Sequence, residues 1–197
     1  MLPVYTVCDR SSPPGRPGNA TETAAVYGAA VRIEQGDLEA ADVAALLREH
    51  LDDMHATSPP ESVHALTDEG LRGADVTFFT ARDDDGALLG CGAIKRLAAH
   101  AVELKTMRTV AAARGRGVGS AMLTHLLGVA RALGCTAVYL ETGSMDYFAA
   151  ARRLYARHGF VETGPFGAYE PDPLSTFMVL RLGAQEEAAL PPHGQRC

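Results

Sequence analysis

The sequence predicts one α/β (α+β) domain, a mixed and mostly antiparallel central sheet with helices on both faces. Three observations predict it. The chain has 197 residues, enough for one complete core and short for two. Its apolar residues alternate along some segments and recur at helical spacing along others. Two strand-like runs, 76–82 and 87–97, are joined by Asp83-Asp84-Asp85-Gly86, a strong hairpin signal.

The elements follow in order. Residues 1–24 carry Pro3, Pro13, Pro14, Gly15, Pro17 and Gly18 with little apolar periodicity, the composition of a flexible leader. Residues 26–34 read as the first strand. Asp37 is placed to cap a helix whose apolar positions Leu38, Val43, Leu46, Leu47 and Leu51 share one face. A second, short helix is expected over 61–70, entered through Ser58-Pro59-Pro60. The hairpin strands come next, then a strand over 102–110. A helix over 118–133 stops at Gly134, and residues 136–141 form a β-rich run. A helix over 146–158 ends at Gly159, and two strands near 160–164 and 175–182 close the domain. The expected order is β-α-α-β-β-β-α-β-α-β-β. The domain so defined covers 25–183, and 184–197, with Pro191, Pro192 and Gly194, reads as a flexible tail.

Hydrophobic content of 47% and charged content of 21% suit a soluble globular protein. No apolar run approaches bilayer length, and the N-terminus lacks a basic start followed by an apolar stretch, so the expectation is cytoplasmic, with no membrane partner. Cys8, Cys91, Cys135 and Cys197 are scattered without a Cys-x-x-Cys pair, which suits reduced thiols and argues against a metal site. The net charge of -6 is unevenly spread. Residues 31–72 hold ten carboxylates against three arginines, whereas 105–158 hold eight bases against two acids. A basic half suits a polyanionic cofactor and an acidic half a cationic acceptor, although either could be a solvated helix face. Without a net basic balance or an interleaved aromatic row, nucleic acid is disfavoured as a partner.

Arg114, Gly115, Arg116, Gly117, Val118 and Gly119, followed by Ser120, lie between a strand and a helix start. Glycines remove the Cβ atoms that would hold a phosphate off the backbone, and the free amides of a helix start bind anions. A dinucleotide fold would use Glu141 for a ribose. It fits less well, because Ser120 stands where the third glycine of that fingerprint belongs and antiparallel-type strands precede the loop.

The loop resembles the Arg/Gln-x-x-Gly-x-Gly/Ala signature of the GNAT N-acetyltransferase superfamily. Leu154-Tyr155-Ala156-Arg157-His158-Gly159-Phe160 is similar to that superfamily's Leu-Tyr-x-x-x-Gly-Phe motif. Met54-His55, residues 58–66, Lys105-Thr106-Met107-Arg108-Thr109, residues 140–145 and Pro165-Phe166 resemble the YsnE-like bacterial acetyltransferases. The resemblance implies an acetyl-CoA-dependent N-acetyltransferase acting on a small-molecule amine, with a homodimer allowed. The alternatives are a catalytically silent acetyl-CoA-binding sensor and a protein N-acetyltransferase. By resemblance Met107, Arg108 and Thr109 supply backbone groups to the thioester and pantetheine. Glu103 is placed as the base, with pairing to Lys105 as the competing reading. Glu141 and His64 follow as base candidates, and solvent is another. Tyr155 is placed to donate a hydrogen bond to the departing sulfur. His55, Glu61 and His64 are expected beside the acceptor. One position departs from the pattern: Phe148 stands where the superfamily often has an Asn that bonds the pantetheine arm.

Overall fold

A computed structural model describes residues 22–26, 29–57, 59 and 66–183. In chain order the strands are β1 (Glu22–Val26), β2 (Ala29–Gln35), β3 (Val76–Arg82), β4 (Leu88–Ala98), β5 (Ala101–Thr109), β6 (Ala137–Gly143), β7 (Val161–Thr163) and β8 (Ser175–Arg181). The helices are α1 (Ala41–Thr57), α2 (Asp68–Leu71), α3 (Val118–Ala132) and α4 (Ala149–Arg157), with 3-10 turns at Ala111–Ala113 and Asp146–Phe148. The eight strands form one sheet in the order β1-β2-β3-β4-β5-β6-β8-β7. Every neighbouring pair is antiparallel except β5 and β6, which run parallel.

The architecture is the expected mixed, mostly antiparallel sheet, with three differences. The segment read as a leader ends in a strand: β1 starts at Glu22 and turns back into β2. Helix α1 begins at Ala41, four residues after Asp37, whose Oδ1 accepts from Glu39 N–H at 2.9 Å in the preceding turn. The second helix shrinks to Asp68–Leu71, and residues 60–65 lie outside the described residues.

Strand alternation divides the sheet into two cores. Phe79, Ala81, Leu104, Val138, Leu140 and Met178 face α3 and α4. The α3 stripe of Met122, Leu123, Leu126, Leu127 and Ala130 is buried there, in a helix that carries no acidic residue. Phe78, Cys91 and Ala93 face the other way, onto Val43, Leu46 and Leu47 of α1 and Leu71 of α2. Truncating a core leucine such as Leu126 to alanine costs about 2–5 kcal/mol, so these faces fix where the helices sit.

Two irregularities in the sheet open a site. Cys91 pairs with Arg108 and Ala93 with Lys105, so Thr106 and Met107 on β5 oppose the single residue Gly92 on β4. This bulge puts Thr106 at φ 53°, a left-handed conformation outside the usual range of a β-branched residue. Next, the parallel ladder of β5 and β6 runs only from Ala101–Ala137 to Leu104–Leu140. Beyond it the bulged end of β5 has no ladder partner on β6, while β6 continues on β8 to Gly143–Ser175.

Candidate active site

A cleft of about 680 Å³ opens where β5 and β6 part. Its floor is Met107, Arg108 and Thr109. One wall is Arg114, Gly115, Gly117, Val118, Gly119 and Ser120, and the other is Tyr147, Phe148, Leu154 and Tyr155, with His50 and Met54 entering from α1. Most of the predicted loop residues therefore line one space. Arg116 and the acid–base candidates Glu103 and Glu141 do not belong to its lining.

The glycine loop is built for an anion. Gly115 and Gly117 have φ of 74° and 86°, and Gly117 is the left-handed residue immediately before α3. The first bond that closes the helix is Ala121 N–H to Gly117 O at 3.0 Å. The amides of Val118, Gly119 and Ser120 therefore face the cleft end of the helix without intrahelical acceptors. Gly119 also lets α4 approach, since a Cβ there would lie 3.3 Å from Leu154 Cδ2. Amides, a positive helix end and missing Cβ atoms fit a pyrophosphate. Ser120 Oγ is engaged with His158 Nε2 at 3.0 Å. His158 Nδ1 lies 2.9 Å from Leu154 O, which can only accept, so Nδ1 carries a proton.

Across the wedge, Phe148 stacks its ring over Gly143, where any Cβ would sit 2.1 Å from ring carbon Cδ2. The glycine is what gives the ring its place. Arg152 fixes this corner by donating from Nη1 to Gly143 O at 2.6 Å and to Met145 O at 2.9 Å. Tyr155 is buried beside the cleft and against Phe160. Burial, then the nearby Glu141 charge, pushes its phenol above the ordinary value, so the hydroxyl keeps its proton at neutral pH.

Sequence reasoning missed a brace on the α1 side. Arg108 Nη2 donates to Glu49 Oε1 at 2.6 Å and to Asp53 Oδ2 at 2.5 Å, while Tyr147 OH donates to Asp53 Oδ2 at 2.8 Å. The brace ties α1, β5 and the 3-10 turn after β6 across the cleft mouth. The Tyr147 and Arg108 hydrogen bonds hold the Asp53 carboxyl below its usual range. Desolvation works against the Arg108 charge, but the hydrogen bonds it donates to Tyr147, Asp53 and Glu49 outweigh it and raise the guanidinium further. Beside it, burial and the Arg108 charge pull the His50 imidazole down to about 4, and its Nδ1 is buried without a hydrogen-bond partner among the described residues. Only the acidic bias of 31–72 hinted at this corner; the partners are 39 to 94 residues apart.

The candidate base sits in a closed triad. Glu103 is 3% exposed. Its Oε1 lies 3.0 Å from Lys105 Nζ and accepts from Tyr169 OH at 2.6 Å, and Lys105 Nζ donates to the same phenol oxygen at 2.5 Å. Desolvation and the Glu103 carboxylate push the Tyr169 phenol well above its ordinary value. The geometry is the pairing with Lys105, with Tyr169 as a third member that the sequence did not reveal. Glu141 Oε1 accepts from Ser175 Oγ at 2.7 Å. His55 is exposed in the last turn of α1, and Glu61 and His64 lie outside the described residues.

Comparison with known proteins agrees with this geometry. The Acetyltransferase (GNAT) family profile matches residues 43–160, from α1 to the end of the α4 motif.

The chain belongs to the GNAT acetyltransferase family.

Among its relatives is YsnE of Bacillus subtilis (strain 168), described as an N-acetyltransferase. The two are 43% identical over 152 residues, covering 77% of this chain and all of the relative. YedL of Escherichia coli (strain K12), described likewise, is 41% identical over 79% of this chain and 97% of its own. A solved Klebsiella pneumoniae protein, described as an acyl-CoA N-acyltransferase, superposes with a TM-score of 0.63 at 30% identity. That match covers 77% of this chain and 97% of the other. This GNAT enzyme is thus an N-acetyltransferase with the family's fold, and among its described residues no helix is long and apolar enough to cross a membrane.

Proposed function

We propose that the enzyme transfers the acetyl group of acetyl-CoA to the amine of a small-molecule acceptor. One observation carries the proposal: the free amides at the start of α3 and the end of β5 that has no partner on β6 border the same cleft, which Tyr155 also lines. Arg114, Gly115, Gly117, Val118, Gly119 and Ser120 would hold the pyrophosphate, with Arg116 at the rim. Backbone groups of Met107, Arg108 and Thr109 would take the pantetheine arm and the thioester oxygen. Phe148 replaces an amide side chain there, so that stretch of the arm meets an apolar ring and backbone.

Tyr155 keeps its proton and acts as hydrogen-bond donor to the departing sulfur. A phenol above 10 facing a thiol near 8.5 makes full transfer uphill by at least about 2 kcal/mol, so donation matters more than transfer. The acceptor enters beside α1, where Glu49 and Asp53 favour a cation and His50 offers a neutral ring nitrogen to orient an amine. Glu103 serves the framework, because its Oε1 is engaged by Lys105 and Tyr169 and its carboxyl is not part of the cleft lining. The acceptor proton then goes to solvent or to the acceptor-side groups.

Incubation with acetyl-CoA and a panel of amines, reading free thiol and N-acetylated product together, tests the function. Both should appear with a cationic acceptor. Binding of acetyl-CoA without thiol release across the panel would instead mark a sensor. Tyr155→Phe should lower kcat about tenfold with little change in acetyl-CoA affinity, the size of one hydrogen bond. Unchanged kcat removes Tyr155 from the chemistry.

A further inference from the structure

The cleft holds more positive charge than a pyrophosphate on backbone amides requires. Arg108, Arg114, Arg153 and Arg157 line it, and no carboxylate does. Arg108 is matched by Glu49 and Asp53. Arg153 and Arg157 are exposed, and neither has a hydrogen bond or an ion pair among the described residues. Their neighbour Arg152 is different, with both its contacts on backbone carbonyls. Spaced four apart on α4, Arg153 and Arg157 stand on one face about 5–6 Å apart at Cβ. That face borders the same cleft as the glycine loop, next to the face on which Leu154 abuts Gly119 and His158 is hydrogen-bonded to Ser120.

Resting on the acetyl-CoA reading above, we infer that Arg153 and Arg157 form a second anion subsite that takes the 3′-phosphate of CoA. A phosphate monoester is a terminal dianion with three acceptor oxygens, which two guanidinium forks suit and a row of single amides does not. The subsite makes the enzyme distinguish CoA from 3′-dephospho-CoA. The glycine loop cannot do so, since both nucleotides carry the same pyrophosphate. Because the two side chains project into solvent and hold no structural contact, they can be replaced without disturbing the fold.

The test is calorimetric affinity for CoA and for 3′-dephospho-CoA at low salt. The proteins compared are the parent, the double variant Arg153→Gln/Arg157→Gln and a control, Arg131→Gln, whose exposed side chain at the far end of α3 lies outside the cleft lining. The parent should prefer CoA by about tenfold or more, the size of one charge-assisted hydrogen bond. The double variant should lose that preference while its 3′-dephospho-CoA affinity stays within about twofold, and the control should keep the preference. Equal affinity of the parent for the two nucleotides overturns the subsite and leaves the acetyl-CoA reading standing. Equal weakening of both nucleotides in the double variant also overturns it, assigning the arginines to general attraction. A parent that binds neither nucleotide overturns both readings.

Discussion

Replacing His50 with glutamine should change how the enzyme responds to acid. In the folded chain burial and the neighbouring Arg108 charge hold the imidazole at about 4, against an ordinary 6.5. Between those values the unfolded chain binds a proton that the folded chain refuses, so stability falls as pH drops from about 6.5 towards 4. Each pKa unit corresponds to 1.36 kcal/mol, so at pH 4.5 the loss assigned to His50 is about 2.5 kcal/mol. Well above pH 7 the ring is neutral in both states and contributes no such slope. The assay is urea denaturation from pH 4.5 to 8 on parent and His50→Gln, with the two stability curves subtracted to remove every other titrating group. The difference should be flat well above pH 7 and should shift in favour of the variant by about 2.5 kcal/mol at pH 4.5. Parallel curves throughout would show that His50 titrates normally and that the Arg108 corner does not exclude its charge.

Two further outcomes test the framework. Glu103→Gln should lower stability by about 1–3 kcal/mol, since it removes the charge that matches a buried lysine; any fall in kcat should leave the rising limb of the pH–rate profile in place, and loss of that limb would restore Glu103 as the base. Gly143→Ala should destabilise by about 1–3 kcal/mol and alter the cleft, because its methyl group occupies the space of the Phe148 ring; an unchanged melting temperature would mean that the ring repacks freely.

Much of the fold was legible because it follows local rules. The α3 stripe of Met122, Leu123, Leu126 and Leu127 repeats at helical spacing, and the Asp83–Gly86 turn joins two alternating runs. The glycine turn before α3 was legible too, because its glycines and the helix start are contiguous. What escaped was assembled across the chain. Nothing local says that Tyr169 closes on Glu103 from 66 residues away, or that Tyr147 meets Asp53 from 94. The bulge at Thr106 was equally hidden, because a register slip depends on how β4 and β5 align and leaves no composition signal. At Phe148 the sequence showed a departure from the pattern, but only the contact with Gly143 explains how the ring is accommodated.

The short parallel ladder between β5 and β6 also bears on how the molecule comes together. Strands β1 to β5 are laid down side by side in chain order, with the one long excursion of 36–75 between β2 and β3. Strand β6 must instead wait for α3 to cross over, and it then meets β5 through only four residue pairs. Loop closure has to precede that contact, which makes the seam a natural late step in folding and a natural first place to part. The wedge of the candidate site is therefore also the joint between two halves of the sheet: a meander that precedes α3, and a three-stranded flap of β6, β8 and β7 that follows it.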